Sequence, residues 1–224
     1  PGHWRRMYGS LTVVDNLAQY QADPKAYLAK HPLPLKDELL KNNTRGRQWK
    51  FSELATAVQP LSGGRAFAVG KQLFKVANCI ACHRLNEEGR VFGPDLVKLE
   101  KKKQSAEYIL QSLLDPSKDV DPKFQSNIFA LDTGKVITGM VLKETPETVE
   151  VVIDPLAKGK PTLIRKSSID DRSKSKASIM PKGLLDKLSR EEILDLVAYI
   201  YARGDKKHPL FADHADHQEQ RKKK

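Results

Sequence analysis

Apolar positions recur at three- and four-residue steps in separate stretches of the chain, and give way to β-branched runs in one long stretch between them. Over residues 64 to 77 the positions Phe67, Gly70, Leu73, Phe74 and Ala77 repeat with helical spacing and predict a helix. A second helix is predicted over residues 105 to 114, carrying Tyr108, Ile109 and Leu113, with Asp115-Pro116-Ser117 ending it. A third runs over residues 190 to 202. Ser189 followed three residues later by Glu192 forms a capping box, Ile193, Leu196, Val197 and Ile200 make the apolar stripe, and Gly204 stops it. Between the second and third helices, residues 124 to 131, 136 to 142, 148 to 153 and 162 to 169 are rich in β-branched side chains, with Asp132-Thr133-Gly134-Lys135 as a turn. They predict a small antiparallel meander of four strands, followed by a polar run over residues 170 to 178 that leads out to Ile179-Met180-Pro181.

The first 60 residues are less regular. Residues 11 to 20 read as a short helix, and Asp23-Pro24 as a helix start with proline in its first turn. His31-Pro32-Leu33-Pro34 is extended, because a residue before proline avoids the helical region. Further short helices fit residues 35 to 40 and 51 to 58. The expected organisation is an N-terminal helical extension or linker over residues 1 to 60, and a main domain over residues 61 to 204 with a β insertion at about 123 to 170. Residues 205 to 224 then form a flexible tail.

Length and composition allow one sizeable domain or two small ones: 224 residues, 39% hydrophobic and 30% charged. No stretch approaches the roughly 18 apolar residues that a spanning helix needs. The N-terminus has no secretory hydrophobic core as it stands, so the expectation is that a signal was removed or that the chain is the C-terminal piece of a longer protein. The formal charge of +11 points to an acidic partner or surface. Its lysines fall in short clusters (Lys101-Lys102-Lys103, then Lys174 and Lys176, then Arg221 to Lys224) with no interleaved aromatic platform, which argues against nucleic acid.

Both cysteines of the chain stand in one run, Cys79-Ile80-Ala81-Cys82-His83. Cys-x-x-Cys-His is the attachment signature of c-type haem, in which both thiols become thioethers and the adjacent histidine binds iron. A zinc site would need further Cys or His ligands, and His3, His31, His208, His214 and His217 lie far off toward the ends. A thioredoxin-like pair belongs beside a βαβ pattern, which is absent here. The reading is one covalent haem c. It spends both cysteines, leaving none for structural disulfides, and it places the protein in the periplasm or otherwise outside the cytoplasmic membrane.

What fills the sixth iron position decides between an electron carrier and a ligand-binding haem protein. Of three methionines, Met7 lies in the irregular N-terminal stretch and Met140 inside a predicted strand, where gap-filling is the simpler role. Met180 stands in a loop before proline. On position alone, iron ligation and core packing both stay open for it. The C-terminal run from His208 to His217 invites a metal site, but as a polar terminal segment it reads more simply as tail.

Gly70-x-x-Leu73-Phe74, Cys79-x-x-Cys82-His83, Gly93-Pro94, Met180-Pro181 and Ala198-Tyr199-Ile200, in that order, resemble a class I cytochrome c. The resemblance implies a mainly α cytochrome c fold, here α+β overall because of the inserted meander. It implies a close crossing of the first and last helices at Gly70 and Tyr199, a Pro94 carbonyl that accepts the His83 Nδ1–H, and Met180 as sixth ligand. The spacing from His83 to Met180 is long for the compact class I pattern. That departure is similar to the haem-binding cytochrome domain at the C-terminal ends of large secreted planctomycete proteins. Tyr27-Leu28, His31-Pro32-Leu33-Pro34, Leu113 to Lys118, Gly134 to Gly139 and Ser178 to Leu184 carry this second resemblance, over about residues 25 to 204. It implies electron transfer with a fused or associated dehydrogenase.

The expected function is therefore electron transfer by a carrier that is not itself an enzyme, with Lys98 and Lys101 to Lys103 as candidates to steer an acidic redox partner. A solvated surface explains those lysines equally well. The alternative is a gas- or peroxide-reactive haem protein with a displaceable sixth ligand, for which no distal histidine or arginine is evident. The meander, without Cys, His or paired carboxylates, is expected to shelter the haem edge or dock a partner. Oligomeric state is not legible.

Overall fold

The computed structural model describes residues 46–156 and 160–212, together with two short strands, β1 (His3–Trp4) and β2 (Val13–Val14), which pair antiparallel. The helix expected over residues 11 to 20 is thus replaced at Val13–Val14 by a strand, as two adjacent β-branched residues favour. The rest of that stretch, the helix start at Pro24, the extended run at His31–Pro34 and the helix at 35 to 40 lie outside the described residues.

Four helices build one apolar core. They are α1 (Phe51–Val58), α2 (Phe67–Val76), α3 (Ala106–Leu114) and α4 (Arg190–Tyr201). Helix α4 is the axis of the unit, with every residue from Glu192 to Ile200 buried. Its expected capping box is present. Glu192 N–H donates to Ser189 Oγ at 3.4 Å and Ser189 N–H to Glu192 Oε2 at 2.7 Å. Leu54 and Val58 of α1 join this same core, Trp49 Nε1–H donates to the Leu188 carbonyl at 3.1 Å, and Arg47 N–H to the Asp186 carbonyl. Residues 46 to 60, expected to belong to an N-terminal extension, thus pack with the helices of the main domain. Helix α2 starts at Phe67 rather than 64, because Gly64 has φ +76° and Ala66 is extended. At the other end, Arg65 N–H donates to the Leu210 carbonyl and Phe211 meets Phe67 edge to face at 5.2 Å. Leu210 and Phe211, expected to lie in a flexible tail, are thus packed on the helical unit.

The insertion has its own core of Phe129, Ile137, Val149, Val151 and Ile164. Its five antiparallel strands are β5 (Asn127–Leu131), β6 (Val136–Glu144), β7 (Thr148–Val152), β8 (Thr162–Arg165) and β9 (Ile169–Lys174), ordered β8-β7-β6-β5-β9. Two further strands, β3 (Arg84–Leu85) and β4 (Glu88–Gly89), make a hairpin in the helical unit. The four-stranded meander of the sequence reading needs correction: residues 169 to 174 return to pair with β5. Strands β8 and β9 sit at opposite ends of the order yet are joined by the single 3-10 turn Lys166–Ser168. A flat sheet would separate them by about 19 Å, and four residue steps reach about 14 Å at most. The sheet must curl. Strand β6 makes the bend, pairing with β5 through Val136–Gly139 and with β7 from Met140 onward across a bulge at Leu142. The result is a small, curled sheet, an open barrel whose end strands β8 and β9 do not pair.

Its neck is narrow. Ser175 N–H donates to the Ser126 carbonyl at 2.9 Å, and Ser178 N–H to Ser117 Oγ at 3.1 Å. The chain therefore leaves and re-enters the helical unit at one place, and the long insertion does not carry Met180 away from the helices.

Candidate haem site

Helix α2 ends at Val76 and delivers the cysteine pair directly. Asn78 takes a left-handed conformation, φ +60°, which asparagine tolerates, and turns the chain into the 3-10 turn Cys79–Ala81. Cys82 N–H and His83 N–H both donate to the Cys79 carbonyl, at 3.1 and 2.8 Å. The two thiols are free rather than joined as a disulfide. Burial pushes the Cys79 thiol up to about 12. Cys82 is raised too, first by burial, with Arg90 opposing and Asp154 adding. Asp154, just after β7, is the carboxylate that adds to the rise at Cys82.

His83 is held on both sides by glycines. A Cβ on Gly93 would stand 2.8 Å from Cε1 of the imidazole, and one on Gly89, at φ +98°, would stand 2.2 Å from the His83 carbonyl oxygen. Gly93 therefore packs directly against the ring, with no room for a side chain. The His83 Nδ1 and the Pro94 carbonyl oxygen are 2.9 Å apart, the contact that the class I resemblance implies. Burial holds the imidazole pKa below its ordinary value, against the opposing pull of the Pro94 carbonyl. The ring is neutral near pH 7, its Nδ1–H is used by Pro94, and Nε2 is the nitrogen presented to a metal. Two neutral thiols beside such an imidazole form a donor set that suits covalent haem.

Met180 is half-buried and packs against the helical core that also takes in Cys79, Ile80 and Leu96. Its N–H donates to Ser178 Oγ at 3.1 Å, and Lys182 pairs with Asp115 at 3.1 Å. The runs at Leu113–Lys118 and Ser178–Leu184, quoted above as separate motifs, are thus laced together. Met140 is buried on β6 of the barrel, and Met7 lies outside the described residues.

Several positioning residues were not read from the sequence. Glu88 pairs with both Lys71 (2.6 Å) and Lys75 (2.8 Å), fastening the β3–β4 hairpin to α2. Asn86 Nδ2 donates to the Gly204 carbonyl at 3.3 Å and fastens the same hairpin to the end of α4. Two like charges four residues apart on α2, Lys71 and Lys75, could have suggested the first, since they need an acidic partner between them; nothing local signals the second.

Of the candidate docking lysines, Lys98, Lys101 and Lys102 are exposed, while Lys103 is half-buried and pairs with Asp121 at 3.5 Å. Val91 (61% exposed) and Val97 (38%) stand nearby in the sequence. His208 serves its own turn, its Nδ1 accepting from Leu210 N–H at 3.3 Å and its ring meeting Tyr201. His214 and His217 lie outside the described residues, and among the described residues no group of three or more His, Cys, Asp or Glu is placed to hold a metal ion. No helix of the described residues is long and apolar enough to cross a membrane.

The family model described as Cytochrome c matches residues 67–136. That match supports a cytochrome c haem-binding domain. It spans α2, the Cys79–His83 run, Pro94 and α3, and stops at the first residue of β6; Met180 and α4 lie beyond it. Haem-based electron transfer and covalent haem c are supported as the domain's general activity and cofactor. No curated protein matches the chain.

Proposed function

We propose that the chain carries electrons through a single haem c bound by Cys79 and Cys82, with His83 and Met180 as axial ligands, outside the cytoplasmic membrane. The carrying observation is the 2.9 Å contact from His83 Nδ1 to the Pro94 carbonyl, which fixes the imidazole tautomer beside two uncoupled thiols. When bound, the haem supplies a one-electron ferric–ferrous couple. The chain's residues tether it, present Nε2, and bring a thioether loop braced by Ser117 and Ser178. A methionine sixth ligand favours a relatively high-potential carrier over a ligand-binding site. The redox partner is a protein with an acidic docking face, met by the exposed Lys98, Lys101 and Lys102, and it belongs to a fused or associated dehydrogenase. In this reading the barrel shelters the haem edge or docks the partner.

The test is production in a host that attaches haem outside its cytoplasm, followed by intact mass and the reduced pyridine haemochrome spectrum. A mass increase of one haem that survives denaturation, with reversible one-electron reduction, is the expected result. A chain recovered without covalent haem under those conditions overturns the proposal.

A further inference from the structure

The contact between His83 and Pro94 is repeated one residue further along both strands of chain. Arg84, next to His83, donates from Nε to Asp95 Oδ2 at 3.1 Å and from Nη2 to the same oxygen, and Asp95 is next to Pro94. Leu96 N–H donates to the Arg84 carbonyl at 3.0 Å. The other Asp95 oxygen, Oδ1, accepts from Val97 N–H at 3.1 Å. One carboxylate therefore holds its own loop with one oxygen and the neighbouring strand β3 with the other.

This matters because no helix or strand supports the Pro94 carbonyl; the chain is irregular from Arg90 to Glu100. Phe92 N–H and Gly93 N–H fix the near end of that loop on the Cys82 carbonyl, at 3.0 and 2.7 Å. Beyond Pro94, the hydrogen bonds that hold the loop to the haem-bearing segment are those of Leu96 N–H and the Asp95 carboxylate, beside the packing of the Leu96 side chain on the core. The Pro94 carbonyl and the Asp95 nitrogen share one peptide plane. A pull on the Asp95 side chain thus sets the direction in which the Pro94 oxygen points. Asp95 is well covered, its side chain 10% exposed, while Arg84 reaches it from a more open position.

The geometry points to Arg84 and Asp95 as a positioning pair that aims the Pro94 carbonyl at His83 and so sets the iron's reduction potential. This rests on the reading of His83 as axial ligand. A carbonyl accepting from Nδ1–H moves electron density toward Nε2, which makes the imidazole a stronger donor and favours the ferric state. Loosening the carbonyl weakens that donation, and the midpoint potential rises.

The sign separates positioning from the field of the charges. Removing the Asp95 charge alone raises the potential by Coulomb's law, and removing the Arg84 charge alone lowers it. Positioning predicts that both raise it. The experiment is spectroelectrochemical titration of the haem-loaded Arg84→Gln, Asp95→Asn and double variants, with Arg84→Lys as the conservative replacement that keeps the charge but not the two-donor grip. The expected result is an upward shift in both single variants, no further shift in the double variant, and an intermediate value for Arg84→Lys. Proton NMR should show faster solvent exchange of the His83 Nδ1–H in the same variants. Opposite shifts in the two single variants that cancel in the double, or no shift at all, overturn the proposal while leaving the cytochrome reading intact. Absence of covalent haem from the unaltered chain is a different failure, which removes that reading and this proposal together.

Discussion

A Cβ on Gly70 would stand 2.4 Å from the Asp195 carbonyl oxygen and 2.6 Å from Tyr199 Cβ, so α2 and α4 meet backbone to backbone at that point. Phe67 and Phe74 close over the same place, their rings 5.4 and 5.8 Å from that of Tyr199. Alanine favours a helix over glycine by about 1 kcal/mol, but forcing a methyl into a packed backbone crossing costs about 1–3 kcal/mol. The contacts here are backbone atoms of Asp195 and the Cβ of Tyr199, none of which can step aside by a rotamer change, so Gly70→Ala is expected to destabilise. Denaturant melts of the haem-loaded protein check it.

Met180→Ala tests the other side of the site. The side chain is only half-buried, so its removal should cost less than the roughly 2–5 kcal/mol of a fully buried methionine. The spectrum should change far more than the fold. The weak far-red ferric band of iron–methionine coordination disappears, high-spin features replace it, and the potential falls, since methionine ligation raises it. An unchanged ferric spectrum would remove Met180 from the iron.

Ser117→Ala removes the hydroxyl that receives Ser178 N–H at the foot of the Met180 loop. A hydrogen bond of this kind contributes about 1 kcal/mol. Met180 should then be displaced by added imidazole at roughly one-fifth of the concentration needed for the unaltered protein. Titration followed in the visible spectrum measures this directly.

Ser117 and Ser178 also show where reading the sequence stops. The cysteines, His83, Gly93 and Pro94 lie within 16 residues of each other, and their chemistry is local, so spacing and resemblance sufficed. Helix α4 was legible because a capping box and a glycine stop frame its apolar stripe. The fifth strand was not. Ile169-Asp170-Asp171-Arg172-Ser173-Lys174 offers one apolar residue, and it is held by backbone pairing with β5 on a largely exposed edge. Without that strand the curl of the sheet could not be inferred, nor the neck that brings Ser178 to Ser117 across 61 positions. The start of α2 was misplaced because the apolar pattern says nothing of the left-handed Gly64.

The barrel should be acid-sensitive at Glu144. Hydrogen bonds from Lys166 and then Arg172 hold its carboxyl below the ordinary carboxylate value. A carboxyl whose folded pKa is depressed stabilises the fold above the unfolded value of about 4.3. That contribution fades as pH falls below it and is gone once the folded pKa is passed. The pair is well exposed and screened by water and salt, so the effect is modest. Barrel stability, read by hydrogen exchange at β5 and β9 amides, should fall between pH 5 and 3 in the unaltered protein. Glu144→Gln should start lower and show a flatter dependence. Parallel slopes for the two would remove Glu144 as the cause.

The order in which the two thiols react carries the last prediction. Cys79 is 8% exposed and its pKa is pushed up to about 12, while Cys82 is half-buried, its pKa raised by burial with Arg90 opposing. Alkylation proceeds through the thiolate. A brief treatment with iodoacetamide near pH 8 should therefore label Cys82 first, and peptide mapping should find Cys79 protected. In denaturant the two should react alike. The protection comes from α2 and the core closing over Cys79, and the same closure would oppose thioether formation there. Attachment at Cys79 is then expected to need a local opening of the Asn78–Cys82 turn that attachment at Cys82 does not. Stabilising the α2–α4 crossing in the haem-free chain should slow attachment at Cys79 and spare Cys82, leaving singly attached product. Equal labelling of both thiols in the folded chain would remove the basis for that order.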